Sequence, residues 1–200
     1  MKNATVSPGK NAAQKGSNVL IRILTLPPLM AAAAVSILHG RLGLFPGGSY
    51  LAALFFLSVL PVMAYPFCFA VPALRKKGRP MQRKMAVIFS VAGYLGGMVY
   101  CRVQGLGKVE GMVFFTYLCS GVLIGVMSGC FHFRCSGHAC AMAGPVTLLG
   151  MQVSPLCFLG YGLLVPVFVS SMRLKRHTKE ELIAGALTPS LLLVLLMNFV

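Results

Sequence analysis

Between Cys135 and Met172 the chain runs for 38 residues without a charged side chain, and this is one of six such runs. The others are 23–40, 43–74, 85–101, 111–133 and 182–200. A helix rises 1.5 Å per residue, so about 20 apolar residues cross a hydrocarbon core of roughly 30 Å. Sequence of this kind folds in lipid. Composition agrees: 10% of the residues are charged and the mean hydropathy is +0.81, whereas soluble domains carry about a quarter charged residues. The 38-residue run is too long for one crossing and breaks at Gly150-Met-Gln-Val-Ser-Pro155. The pattern predicts an all-α polytopic membrane helix bundle of about seven spans, near 23–40, 49–71, 85–101, 111–131, 137–151, 155–172 and 179–199. Pro27-Pro28 would kink the first span. The fifth is short enough to be half-buried or tilted.

The first span has a competing reading as a cleaved signal peptide. Lys2, Lys10, Lys15 and Arg22 precede it, and Ala32–Ala34 could imitate a cleavage site. The lead-in is longer than most such signals, which favours an uncleaved helix. Residues 1–17 read as a mobile basic tail and 18–74 as two N-terminal transmembrane helices, with a core over 75–200.

A net charge of +15 would point to nucleic acid in a soluble protein. Here 15 of the 18 Lys and Arg residues fall before the first span or in alternate loops, and only Arg41, Arg102 and Lys108 fall on the other face. The positive-inside rule and anionic headgroups account for that bias, so the partners are a lipid bilayer and no nucleic acid, with the N-terminus in the cytoplasm. The sequence leaves the oligomeric state unknown. Seven cysteines, four of them within spans, imply no disulfide framework.

Polar chemistry gathers on the cation-rich face, in 71–84, in His132-Phe-Arg-Cys-Ser-Gly-His-Ala139 and in Arg173-Leu-Lys-Arg-His-Thr-Lys-Glu-Glu181. Histidines from two segments, a Ser-Gly helix start and many cations are the parts of a phosphoryl-transfer site. Imidazoles serve as nucleophile and acid, while cations and backbone amides stabilise phosphoryl oxygens.

At these residues the chain resembles the type 2 phosphatidic acid phosphatase (lipid phosphate phosphatase) superfamily. That family carries Lys-x6-Arg-Pro, then Pro-Ser-Gly-His, then Ser-Arg-x5-His-x3-Asp. The counterparts here are Arg79-Pro80, Cys135-Ser136-Gly137-His138 and His177-x3-Glu181, the last followed by Leu182-Ile-Ala-Gly-Ala186. The match covers about 75–190, in the family's order. Pro27-Pro-Leu-Met30 and Ser136-x-His138-Ala-x-x-Met142 look like a compact bacterial branch, which implies the bacterial inner (cytoplasmic) membrane. Four positions depart from the pattern. Pro72 stands where the first-motif lysine falls, with Lys76 or Lys77 nearby; Cys135 replaces Pro, Ser171 replaces Arg, and Glu181 replaces Asp.

The resemblance implies a phosphatase-like core in the last five spans and hydrolysis of a membrane lipid phosphate or isoprenyl pyrophosphate without metal or other cofactor. His177 would be the nucleophile, forming a phosphohistidine, and Glu181, one turn on, could hold the imidazole Nδ1–H. His138 would protonate the leaving alkoxide. Arg79, Arg173, Arg176 and Lys77 would bind phosphate together with the Ser136 and Gly137 amides at a helix start. Plain readings stand beside these. Thr178-Lys-Glu-Glu181 is also a capping box, His177 and His138 could be interfacial, and each cation could be a topology signal. The set Cys130, His132, Cys135, His138 and Cys140 has zinc-ligand chemistry but not the spacing of a common module. Gly93, Gly96 and Gly97, and Gly121 with Gly125, read as close helix contacts. A catalytically eroded member that binds lipid or assists membrane assembly is the alternative to an enzyme.

Overall fold

The computed structural model describes residue 16, residues 20–21 and residues 23–198. Apart from residue 16, the expected basic tail lies outside the described residues, as does the cation at position 22. Residues 20–21 and 23–24 are helical, and among the described residues seven longer helices follow in order: α1 (Pro27–Leu42), α2 (Gly48–Ala70), α3 (Gly78–Val103), α4 (Lys108–Gly129), α5 (Gly137–Gln152), α6 (Pro155–Arg173) and α7 (Lys179–Met197). One further turn of helix, Pro72–Arg75, bridges α2 and α3. No strand occurs among the described residues.

Five of the helices, α2, α3, α4, α6 and α7, are long and apolar enough to cross a membrane. This makes the chain an integral membrane protein. The remaining two, α1 and α5, have 16 residues each, about 24 Å of helix against a core of roughly 30 Å. The span expected at 23–40 is interrupted directly before Pro27-Pro28: Ile23 and Leu24 are helical, Leu26 is extended, and a new helix starts at Pro27. Both prolines sit at the first two positions of α1, where their missing N–H groups have no helical acceptor to lose. Two helices depart from α geometry. Phe55–Val59 in α2 is a π turn, and Pro155–Leu163 in α6 is a 3₁₀ helix. At about 2.0 Å per 3₁₀ residue and 1.5 Å per α residue, α6 reaches roughly 33 Å.

Helices α2 and α3, α3 and α4, and α5 and α6 run antiparallel to one another. The π turn of α2 meets α3 where a Cβ on Gly93 would lie 2.5 Å from the Phe56 carbonyl, and Gly97 leaves room for the Phe114 ring of α4. Gly121 and Gly125 of α4 face Tyr94 and Val87 of α3. The small residues expected to carry close contacts do so. The pair α5 and α7 runs parallel, with Ser136 against Gly185, Gly144 against Pro189 and Gln152 against Met197.

In α5 every residue from Ala141 to Gly150 is buried, so its solvent is protein rather than lipid. A helix apolar all round belongs in that position. Large apolar side chains cover the outside instead: Leu159 of α6 is 78% exposed and Val103 of α3 76%. Polar groups turn inward. Thr147 of α5, Tyr161 of α6 and Ser190 of α7 share a hydroxyl cluster, with Thr147 Oγ1 2.6 Å from the Tyr161 hydroxyl and 2.9 Å from Ser190 Oγ. Thr147 and Ser190 also bond to carbonyls one turn back in their own helices. Lipid offers no competing partner for such groups.

Candidate active site

Both motif segments owe their shape to helix ends. After α6, Lys175 takes a left-handed conformation (φ 50°) and the Arg176 amide closes back on the Ser171 carbonyl at 3.0 Å, as at a glycine-ended helix. His177 follows, and Thr178 caps α7. After α4, His132 is also left-handed (φ 53°). The chain then passes through Arg134 and buried Cys135 to Ser136, whose Oγ accepts the Ala139 amide and caps α5.

His177 Nδ1 lies 3.0 Å from Glu181 Oε2 and 3.0 Å from the Arg134 carbonyl oxygen. Both groups only accept, so Nδ1 carries the proton and Nε2 holds the lone pair of the neutral ring. The same Glu181 oxygen accepts the Thr178 amide at 3.2 Å, while Thr178 Oγ1 accepts the Glu181 amide at 3.3 Å. The two readings of Glu181 therefore coexist. One carboxylate closes the capping box and orients the imidazole.

A second tie joins the segments through the main chain. The Ser136 amide donates to the Glu181 carbonyl at 2.9 Å, and Gly185 makes this approach possible. A Cβ there would stand 2.5 Å from the Ser136 carbonyl oxygen and 3.0 Å from its nitrogen. Ser136 is fully buried, so its amide serves the α5–α7 contact rather than an incoming anion. Gly137, the next residue, has open space beside it. His138 Nδ1 lies 3.0 Å from the Thr25 carbonyl oxygen. A carbonyl cannot donate, so this ring too is protonated at Nδ1.

The cations take other places. Lys77 is the N-cap residue of α3 and Arg79 lies in its first turn, both exposed. Helix α3 packs on α2 and α4, and α4 in turn packs on α5 and α7. Arg173 ends α6 exposed, and Arg176 is half-buried. Neither Lys77 nor any of these three arginines has a side-chain hydrogen bond or ion pair with another described residue. No three His, Cys, Asp or Glu side chains converge as metal ligands among the described residues. Burial pushes the Cys135 thiol up from its ordinary value, which disfavours the thiolate that zinc or nucleophilic chemistry needs.

Two participants in the site and one buried acid away from it escape sequence reasoning. The Arg134 and Thr25 carbonyls are main-chain groups with no residue signature. Glu110, one of only three acidic residues in the chain, is buried at the opposite end of the bundle. There its Oε1 accepts the amide of Phe45 at 3.3 Å. A lone acid at the edge of an uncharged run is the signal that could have found it.

No family model matches this chain, and no curated protein or solved structure matches it either.

Proposed function

We propose that the chain is a metal-independent phosphatase acting on a lipid-borne phosphate or pyrophosphate at the membrane surface. One observation carries the reading: the Nδ1 atom of His177 is tied to Glu181 and to the Arg134 carbonyl, which makes Nε2 the nucleophilic nitrogen. In the proposed cycle Nε2 attacks phosphorus, the P–O bond to the leaving group breaks, and protonated His138 gives its Nε2 proton to the departing oxygen. Water then attacks the phosphohistidine, losing its proton to His138 as the P–N bond breaks. Phosphate leaves and both histidines return to their starting states. The site belongs to helix starts at one end of the bundle, so a headgroup would arrive laterally from the bilayer. In this reading α1 and α5 also cross, giving seven spans with α3–α7 as the phosphatase-like core, in a bacterial inner membrane.

A second reading has its own support. Arg79 and Lys77 lie at the start of α3, which packs chiefly on α2 and α4, and the first-motif lysine and third-motif arginine positions hold Pro72 and Ser171. Such a chain would be a non-catalytic, lipid-binding relative of phosphatases.

Phosphate release by the purified protein from phosphatidic acid, phosphatidylglycerol phosphate and undecaprenyl-type pyrophosphate separates the two. Turnover that persists in chelator, is abolished in His177→Ala and falls roughly 10²–10⁴-fold in His138→Ala supports the enzyme. Substrates with good leaving groups should restore His138→Ala alone. No release from any lipid, or wild-type rates in His177→Ala, would leave the non-catalytic reading.

A further inference from the structure

The densest cation cluster of the chain lies where α2 turns into α3. Six of the ten residues from 75 to 84 are Lys or Arg, and all six are exposed. No carboxylate answers them. The chain has three acidic residues. Glu110 lies at the other end of the bundle, on the Phe45 amide. Glu181 is bonded to His177 and Thr178, and Glu180 is engaged by Thr178 and Lys179. None of the six cations has an ion pair with a described residue, and the residues outside the described set include no Asp or Glu.

Topology asks for cations in this loop but not for their arrangement. Arg79 and Arg83 stand one turn apart on α3, where like charges at i and i+4 repel and cost helix stability. The first turn of α3 holds no acid and no side chain caps it, so its amides add partial positive charge beside Arg79. An external anion relieves both. The apolar side of this elbow is aromatic. The Arg75 guanidinium carbon lies 4.6 Å from the centre of the Phe69 ring, a cation–π pair, and Phe69 is 67% exposed. Phe67 of the same turn meets Phe89 of α3 at 5.4 Å between ring centres. Phe69 belongs to the last turn of a helix long and apolar enough to cross a membrane, so the pair stands where acyl chains give way to headgroups.

We propose that the α2–α3 elbow binds the headgroup of an anionic phospholipid of the surrounding bilayer. Its phosphate would lie between Arg79 and Arg83, and an acyl chain would run past Phe69. A zwitterionic lipid offers the same chain but brings its own cation to the two arginines. Free phosphate offers the anion but nothing for the ring. The inference is independent of the chemistry proposed for the histidines, and it gives Arg79 a different phosphate from the one that the motif resemblance implies.

Detergent-purified full-length protein titrated with phosphatidylglycerol, phosphatidylcholine or inorganic phosphate, with bound lipid read by native mass spectrometry, tests this. Wild type should bind phosphatidylglycerol about tenfold more tightly than phosphatidylcholine, and millimolar phosphate should not displace it. Arg79→Gln with Arg83→Gln should abolish the preference. Arg173→Gln with Lys175→Gln removes the same charge at the end of the bundle that carries the histidines and should keep it. All four positions are exposed, so neither pair disturbs packing. Equal binding of the two lipids by wild type overturns the proposal. So does an unchanged preference in the Arg79 and Arg83 double variant, an equal loss in the control pair, or displacement by phosphate.

Discussion

Gly185→Ala is the sharpest probe of how the two motif segments are held together. The new methyl would start 2.5 Å from the Ser136 carbonyl oxygen, a backbone atom that cannot swing aside. Ordinary contact requires α5 and α7 to separate by roughly 0.5–0.9 Å at this point, and close-packed interiors resist that. The Ser136–Glu181 bond, now 2.9 Å, would stretch past the usual limit of about 3.2 Å. Overpacking costs about 1–3 kcal/mol, and the buried Ser136 amide left without its acceptor about 1–3 kcal/mol more. Replacing glycine within a helix returns about 1 kcal/mol. The net expectation is a loss of about 1–5 kcal/mol. Equilibrium unfolding in mixed SDS micelles measures it, with Gly137→Ala as the control, because nothing lies within 4 Å of a Cβ there. The control should stay within about 0.5 kcal/mol of wild type. A Gly185→Ala protein as stable as the control would refute the close α5–α7 crossing and the joining of the motifs through it.

Glu181→Gln should keep the capping box and therefore most of the stability, whereas Glu181→Ala should lose about 0.5–2 kcal/mol in the same unfolding assay. If the chain is an enzyme, Glu181→Gln should cost turnover only about 10–100-fold. The drop of about 10⁴ seen when a triad carboxylate becomes an amide comes from the wrong tautomer, and here the Arg134 carbonyl still selects Nδ1–H. Thr147→Val should destabilise by about 0.5–1.5 kcal/mol, and combined with Ser190→Ala by less than the sum, since both break one cluster; full additivity in a double-mutant cycle would count against a shared cluster. Accessibility tags placed after Lys10, Lys77 and Lys175 should all report the cytoplasm if α1 and α5 cross. A tag after Lys77 opposite in side to one after Lys175 would mean that α5 does not.

The helices were legible because charge marks their ends. The expected span at 49–71 is Gly48–Ala70, that at 137–151 is Gly137–Gln152, and that at 155–172 is Pro155–Arg173. The starts of α5 and α7 were legible as well, since Ser136, Thr178 and Glu181 announce helix starts by type and spacing. The π turn at Phe55–Val59 and the 3₁₀ stretch of α6 were not, because apolar residues of one kind fill any of these helices. Nor could the sequence place Arg79. Its motif position says nothing about which helix lies beside which, and that is decided by small residues such as Gly93 and Gly97, which bring α3 against α2 and α4. The hydrogen bonds of His138 and His177 to Thr25 and Arg134 depend on carbonyls that every residue possesses.

The encasement of α5 has a consequence for biogenesis. A helix that meets almost no lipid gains little from entering the bilayer by itself, and α5 carries Thr147, Gly144 and Pro145 at positions that only neighbouring protein accommodates. The neighbour that receives most of it, α7, leaves the ribosome after both α5 and α6. Until α7 arrives, Gly144 faces no Pro189 and the Ser136 amide has no Glu181 carbonyl to meet. The two histidine segments thus acquire their fixed relation only once α7 has been made. Before then, α5 is a nascent segment whose insertion depends on a partner not yet made.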